Sequence, residues 1–135
     1  ISKSPNLQII ETGGMKGRKE EMTKDEVLKI LKKGFKTEKI YSEYSMTELL
    51  SQAYSLGENL YETPNWMRIL IRNTEDPFSF VEEGKTGAIN IIDLANIHSC
   101  SFIATQDLGK IVNGKFQVLG RIDHSDIRGC SLLVS

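Results

Sequence analysis

Three side chains with different chemistry stand close together at residues 44–48. Within the stretch SEYSMTELLSQAYS (42–55), Tyr44 offers a flat ring, Thr47 a hydroxyl and Glu48 a carboxylate. An aromatic ring can stack on a base, a hydroxyl can donate to a phosphate oxygen, and a carboxylate is a hard ligand for Mg²⁺. The alternative is purely structural: Tyr44 packs in the core, Thr47 caps a helix and Glu48 enters its first turn. Spacing alone leaves both interpretations open.

Four motifs follow the order found in a known superfamily. Residues 44–48 resemble the Tyr-Gly-x-Thr-Glu motif of the adenylate-forming enzymes, which include acyl- and aryl-CoA ligases, peptide-synthetase adenylation domains and luciferases; Ser45 replaces the usual glycine. FIATQDLG (102–109) resembles their Tyr-Arg-Thr-Gly-Asp-Leu motif, with Gln106 where glycine is usual. LGRIDHSDIRG (119–129) resembles their hinge motif, and ETGGMKG (11–17) the glycine turn beside the adenine.

Within the superfamily, the resemblance is strongest to the acyl-protein synthetase branch of the bacterial luminescence systems. It rests on the wording TGGMKGR, SEYSMTELLSQAYS and DLANIHSCSFIATQDLG. The implied reaction joins a carboxylic acid, here a fatty acid, to ATP as an acyl-adenylate and then passes the acyl group to a thiol. The cofactors implied are ATP and Mg²⁺. The thiol acceptor is a protein cysteine or CoA.

The resemblance assigns five residues to the adenosine part of ATP. Gly13 and Gly14 would let the backbone approach the adenine where a Cβ would collide. Tyr44 would stack on the base. Asp107 would accept hydrogen bonds from the ribose hydroxyls, because an ionised carboxylate has two acceptor oxygens and no donor. Arg121 would offer a fixed fork of donors to ribose or phosphate. The structural alternatives are a turn residue before Gly109 for Asp107 and an ion pair with Asp123 or Asp126 for Arg121.

The remaining assignments concern phosphate, metal and motion. Thr47 would donate to the α-phosphate, and Glu48 would hold the Mg²⁺ that offsets charge on the leaving pyrophosphate. Asp123 would lie at the hinge of a small C-terminal lid. Cys130, directly after the hinge motif, would receive the acyl group; Arg128 would lower its thiol pKa. The alternative for Cys130 is a small buried hydrophobic residue.

The second cysteine, Cys100, lies in a predicted strand, and we expect it in the core. A zinc site built from His98, Cys100, His124 and Cys130 is disfavoured because their spacing matches no common ligand pattern. Two cysteines form no disulfide framework, so the sequence predicts a reduced, cytoplasmic protein.

Composition indicates a globular domain without special partners. The chain has 135 residues, 39% hydrophobic and 26% charged, with a formal net charge of −1. That charge gives no reason to expect nucleic acid, and no apolar run is long enough to span a membrane.

The matched motifs cover only the later part of the superfamily's catalytic domain, and the chain opens on Ile1. We therefore expect a fragment, inactive alone, whose partner is the rest of its own catalytic domain. A non-catalytic binding module that retains the scaffold is the competing interpretation, supported by Ser45 and Gln106.

Local signals predict the elements that position these residues. LQII (7–10) predicts a short buried strand that runs into a glycine turn. Thr23 and Glu26 form a capping box that begins a helix, and Gly34 is expected to end it. A second strand at 39–45 and a short helix or helical turn at 46–55 follow.

The second half is expected to be antiparallel. Its predicted strands are 66–72, 87–93, 99–105 and 115–122, with a hairpin at Asn113-Gly114. The fold class is therefore α/β, or mixed α+β: a βαβ-type parallel segment followed by a small antiparallel, barrel-like sheet. Three parts are expected: a βαβα portion of the adenylation core (1–63), a β-rich subdomain (64–122), and a hinge with a truncated tail (123–135).

Overall fold

A computed structural model of the chain describes residues 7–13 and 22–122. It contains one α-helix, α1 (Lys24–Phe35), a short 3-10 helix (Leu94–Asn96) and an eight-stranded sheet. The strands are β1 (Ile10–Thr12), β2 (Tyr41–Tyr44), β3 (Ala53–Ser55), β4 (Tyr61–Glu62), β5 (Met67–Arg72), β6 (Gly87–Asp93), β7 (Phe102–Val112) and β8 (Lys115–Arg121). The mixed α+β class is confirmed. No helix in the described ranges combines the length and apolarity that a membrane crossing needs.

The sheet has the order β1-β2-β3-β4-β8-β7-β6-β5. Only β1 and β2 pair in parallel, joined by α1 as the strand–helix–strand order predicts; every other pairing is antiparallel. The sheet is open between β1 and β5, so the expected barrel-like sheet does not close into a barrel. The pair Tyr61↔Phe116 joins β4 to β8, so the sheet continues across the expected boundary between the parts 1–63 and 64–122. The division of the chain into three parts stays a prediction.

Helix α1 begins where the sequence predicts. The Thr23 hydroxyl accepts from the backbone N–H of Glu26, whose carboxylate accepts from the N–H of Thr23 in return. The end is different: the helix continues through Gly34, and Lys36, at φ 52°, caps it. A residue in the left-handed backbone conformation is enough to end a helix, and here Lys36 adopts that conformation instead of a glycine.

Residues 46–55 differ from the prediction. Only a turn is present, closed by the bond from the Leu49 N–H to the Met46 carbonyl, and Ala53–Ser55 form β3. The alternation of buried Ala53 and Ser55 with exposed Tyr54 explains why this segment pairs as a strand. Strand β1 also departs from expectation, because Leu7 and Ile10 are exposed.

The core lies on one face of the sheet. Nine buried side chains form it: Tyr44, Leu49, Ala53, Tyr61, Met67, Ile71, Ile89, Ile91 and Phe116. They come from β2 to β6, from β8 and from the turn before β3, so the core joins the parallel edge to the antiparallel part. The hairpin between β7 and β8 turns at Asn113 and Gly114, at φ 51° and 74°, as the sequence predicts.

Candidate functional site

The end of β2 meets the middle of β7 through one polar contact. The hydroxyl of Tyr44 donates to Oδ2 of Asp107 at 2.7 Å, across 63 residues of sequence. The Tyr44 ring lies in an aromatic cluster, edge-on to Tyr61 and Phe116 at centroid distances of 6.1 and 5.5 Å. Burial and the negative charge of Asp107 raise the pKa of Tyr44 above its usual range, so the phenol keeps its proton and remains a donor.

Tyr44 therefore has a structural contact that the sequence did not predict. Only 9% of the residue is exposed, which matches the core alternative considered for it. Its stacking on a base stays a prediction. The Tyr44 hydroxyl nevertheless contacts the Asp107 carboxylate, to which the resemblance assigns the ribose.

Asp107 lies in an irregular part of the sheet. Between the pairs Asn90↔Ala104 and Ala88↔Leu108, a single residue of β6, Ile89, faces the three residues 105–107 of β7. The backbone N–H of Asp107 donates to the Thr105 hydroxyl at 3.0 Å, which fixes this bulge. Bulges redirect side chains and are frequent beside active sites.

Arg121 lies next to Asp107 on the neighbouring strand. The two residues are cross-strand partners, and Nε of Arg121 is 3.8 Å from Oδ1 of Asp107. The guanidinium also donates to the Gln106 side chain at 3.4 Å. The side chains of Arg121 and Asp107 are 43% and 21% exposed, so this pair opens to solvent whereas the Tyr44 contact is partly buried. The ion pair considered for Arg121, with Asp123 or Asp126, falls on residues outside the described ranges.

Thr47 and Glu48 project from the turn after β2. Both are exposed, and they follow Tyr44 directly in sequence. Gly13 lies at the same edge of the sheet, because β1 runs parallel to β2 and ends opposite Glu43. Its φ of +92° and the free space around it suit a glycine turn. The ligand-binding roles of these residues stay predictions.

The turn that carries Thr47 and Glu48 is fixed by residues that sequence reasoning missed. The Asp93 carboxylate, at the end of β6, accepts from the backbone N–H groups of Leu50 and Ser51 at 3.0 and 2.9 Å. The Asn96 amide donates to the Glu48 carbonyl at 2.9 Å. The sequence marks Asp93 and Asn96 only as two polar residues at and just after the end of the apolar strand at 87–93.

Two open hollows border the sheet. One of about 530 Å³ adjoins the anchored turn and is lined in part by Leu50, Ser51, Trp66 and Ala95. Another of about 480 Å³ lies near the β7–β8 hairpin, beside Lys115 and Phe116. Neither is lined by Tyr44 or Asp107, so we locate the candidate site from its side-chain geometry.

Several predicted residues lie outside the described ranges, namely Gly14, Asp123 and Cys130. Cys100 is described, and its predicted core position is wrong: it is exposed, and its thiol donates to the Phe102 carbonyl at 3.1 Å. Strand β7 begins only at Phe102, so Cys100 precedes it. Within residues 7–13 and 22–122, no group of three or more His, Cys, Asp or Glu side chains could hold a metal ion by itself.

A single exposed carboxylate still fits a magnesium ion that is held mainly by substrate phosphates. Mg²⁺ commonly binds in this way, through one or two carboxylates, phosphate oxygens and water. Glu48, on an anchored and exposed turn, meets that requirement.

Comparison with solved structures identifies the fold. The chain is similar to apo MatB from Rhodopseudomonas palustris, with a TM-score of 0.56 and 15% identity, over 84% of this chain and 25% of that one. A luciferase-like enzyme from the mealworm Zophobas morio matches with a TM-score of 0.50 and 18% identity, over 84% of this chain and 31% of that one. A benzoate CoA ligase from Burkholderia xenovorans LB400 matches with a TM-score of 0.50 and 18% identity, over 87% of this chain and 28% of that one.

These similarities define a shared fold. This chain spans between 25% and 31% of the length of those three structures. At the level of fold they agree with the resemblance to the adenylate-forming superfamily. No family model and no curated protein matches the chain.

Proposed function

We propose that this chain is the nucleotide-contacting part of an enzyme that activates a carboxylic acid with ATP. The observation that carries the proposal is the bond of 2.7 Å between Tyr44 and Asp107. It joins the two motifs at 42–55 and 102–109 that resemble the superfamily's nucleotide motifs, on a fold similar to parts of a luciferase-like enzyme and a CoA ligase.

In this proposal Asp107 binds the ribose. Its Oδ2 is held by Tyr44, and the carboxylate stays partly exposed towards Arg121, so it can accept from ribose hydroxyls. The Tyr44 hydroxyl fixes the orientation of this carboxylate. Arg121, whose ion pair with Asp107 is long and exposed, is free to turn its guanidinium to a ribose or phosphate oxygen.

Thr47 and Glu48 act on the phosphates. A carboxylate oxygen of the acid attacks the α-phosphorus of ATP, the bond to the bridging oxygen of pyrophosphate breaks, and an acyl-adenylate forms. Thr47 donates to an α-phosphate oxygen. Glu48 would hold Mg²⁺, which when bound offsets negative charge on the pyrophosphate.

The acyl group then passes to a thiol, which attacks the acyl carbon and releases AMP. We propose a fatty acid as substrate and a protein cysteine, Cys130, as acceptor, on the basis of the sequence resemblance. CoA is the alternative acceptor. Replacing Cys130 by serine should abolish transfer to protein and leave adenylate formation intact; unchanged transfer would remove Cys130 from the mechanism.

The test of adenylate formation is acid-dependent exchange between pyrophosphate and ATP, measured on the complete product of the gene. We expect exchange with the wild type and its loss with Asp107→Ala. Asp25→Ala, an exposed carboxylate in the first turn of α1, is the matched control and should retain exchange. The proposal fails if no carboxylic acid supports exchange, or if Asp107→Ala exchanges as fast as the control.

A further inference from the structure

Asp93 is a fully buried carboxylate, with 0% of the residue exposed. Its oxygens accept four hydrogen bonds: Oδ2 from the N–H groups of Leu50 and Ser51, and Oδ1 from the Ser51 hydroxyl at 2.7 Å and the Ala95 N–H at 3.1 Å. Burying a charge is costly unless donors compensate it. The four donors do so here.

Only a carboxylate satisfies this arrangement. An amide at position 93 would turn an NH₂ group towards two donors, whichever way it was flipped. The Ser51 hydroxyl accepts from the Trp66 indole N–H at 2.8 Å and donates to Asp93, because an ionised carboxylate has no proton to give. Burial raises the pKa of Asp93, but the bonds from Ser51, Leu50 and Ala95 outweigh it and hold the pKa below its usual range.

All but one of these bonds end on the segment that carries the proposed phosphate ligands. Leu50 and Ser51 lie two and three residues after Glu48. Asn96, three residues after Asp93, donates to the Glu48 carbonyl at 2.9 Å. The end of β6 thus holds the turn at Leu50 and Ser51, and the 3-10 helix holds it at Glu48, while the side chains of Thr47 and Glu48 remain exposed.

We propose that Asp93 is a positioning residue, which together with Asn96 fixes the Met46–Ser51 turn so that Thr47 and Glu48 present their side chains to Mg²⁺-bound nucleotide. The inference rests on the proposed function. Partners of this kind, one step removed from a metal ligand, commonly change metal affinity or activity by about 10- to 100-fold when they are replaced.

The experiment measures pyrophosphate exchange against Mg²⁺ concentration for the complete gene product. Asp93→Asn and Asn96→Ala should raise the Mg²⁺ concentration for half-maximal rate, or lower the maximal rate, by about tenfold or more. Ser55→Ala is the matched control: it removes a buried hydroxyl that donates to the Gly57 carbonyl at 2.8 Å, and should change neither value by more than about twofold.

A variant in which Glu48 is replaced by glutamine separates positioning from general stability. If Asp93 acts through the turn, Asp93→Asn should cost much less on the Glu48→Gln background than on the wild type, because the effects of coupled residues are not additive. Equal costs on both backgrounds, or Mg²⁺ curves of Asp93→Asn and Asn96→Ala that coincide with that of Ser55→Ala, would overturn the inference. If Asp93→Asn does not fold, Asn96→Ala with Glu48→Gln decides in the same way.

Failure of the proposed function gives a different result. In that case the wild type shows no exchange, or Glu48→Gln leaves its Mg²⁺ dependence unchanged. Where Glu48→Gln alters that dependence and the Asp93 and Asn96 variants do not, the function stands and the positioning role is wrong.

Discussion

Strands β5–β8 and strands β1–β4 are held in place by different forces. The first group has strands of 6 to 11 residues, joined in long antiparallel ladders with pairs such as Ile69↔Ile91 and Ile71↔Ile89. The second group has strands of only 2 to 4 residues. Side chains from the other region hold it: Asp93 holds Leu50 and Ser51, and Asp107 holds Tyr44.

This difference shows how the molecule combines stability with an exposed site. Apolar cross-strand pairs stabilise the antiparallel region as a rigid frame, and they bury no polar side chain that would need a hydrogen-bond partner. The short strands form shorter ladders, so directed bonds from that frame add to the core contacts that position them. Thr47 and Glu48 can therefore face solvent and still keep a fixed position.

The largest effect should come from breaking the frame. Replacing Ile91, which is 1% exposed, by alanine removes core volume and should lower the free energy of unfolding by about 2–5 kcal/mol. Chemical denaturation of the protein measures it. Ile97→Ala is the control, since Ile97 is 65% exposed, and should stay within about 0.5 kcal/mol. Similar losses for both variants would contradict the assignment of the core.

The junction of β7 with its neighbours should be the next most sensitive place. A Cβ on Gly109 would lie 2.5 Å from the Gln117 carbonyl oxygen and 2.7 Å from Cδ1 of Ile89. Gly109→Ala should therefore cost about 1–3 kcal/mol through overpacking.

Gly34→Ala provides the comparison for Gly109. Gly34 lies inside α1 with no atom within 4 Å of an added Cβ, so alanine there should stabilise by about 0.5–1 kcal/mol. Thermal unfolding of the two variants should show shifts of opposite sign. If Gly109→Ala left the unfolding temperature unchanged, the strands around Gly109 would have to move enough to accommodate the added Cβ without cost.

The smallest effect should come from the contact between the two regions. Tyr44→Phe removes the bond to Asp107 and should cost about 1 kcal/mol near neutral pH. Because the folded pKa of Tyr44 is raised, its contribution is complete below about pH 10, where the unfolded tyrosine is neutral, and is lost as pH rises further. Unfolding free energies measured across that range should fall less steeply for Tyr44→Phe.

Tyr54→Phe serves as the control, because Tyr54 is 47% exposed and its hydroxyl lies outside the core. It should change the free energy of unfolding near neutral pH by less than about 0.5 kcal/mol. An equally large loss for both variants would show that the Tyr44 contact gives no special coupling between the regions.

What the sequence predicted was governed by local signals. The capping box at Thr23, the bounds of β6 and the turn at Asn113-Gly114 depend on residues close to one another in the chain. The resemblance also led to Asp107 and Tyr44, which the structure brings into contact.

The missed features depend on distant partners. Apart from the Ala95 N–H, the partners of Asp93 and Asn96 lie 42 to 48 residues away, so no local pattern marks these two residues as anchors of the turn. Residues 46–55 carry a helix-like sequence, but pairing with β2 and β4 makes Ala53–Ser55 a strand. Tertiary contacts override weak local preferences in such segments.

The bulge beside Asp107 also restricts how this gene can change length. Strand β7 carries two residues more than β6 between the flanking pairs, an even number, so Asp107, Gly109 and Ile111 keep the alternation of Ile103 and Thr105. Deleting one codon here would turn the rest of β7 over, placing Leu108 and Lys110 where Asp107 and Gly109 now lie. Deleting two would leave the alternation unchanged and remove only the distortion. Length variants that still fold should therefore differ by pairs of residues between 104 and 108.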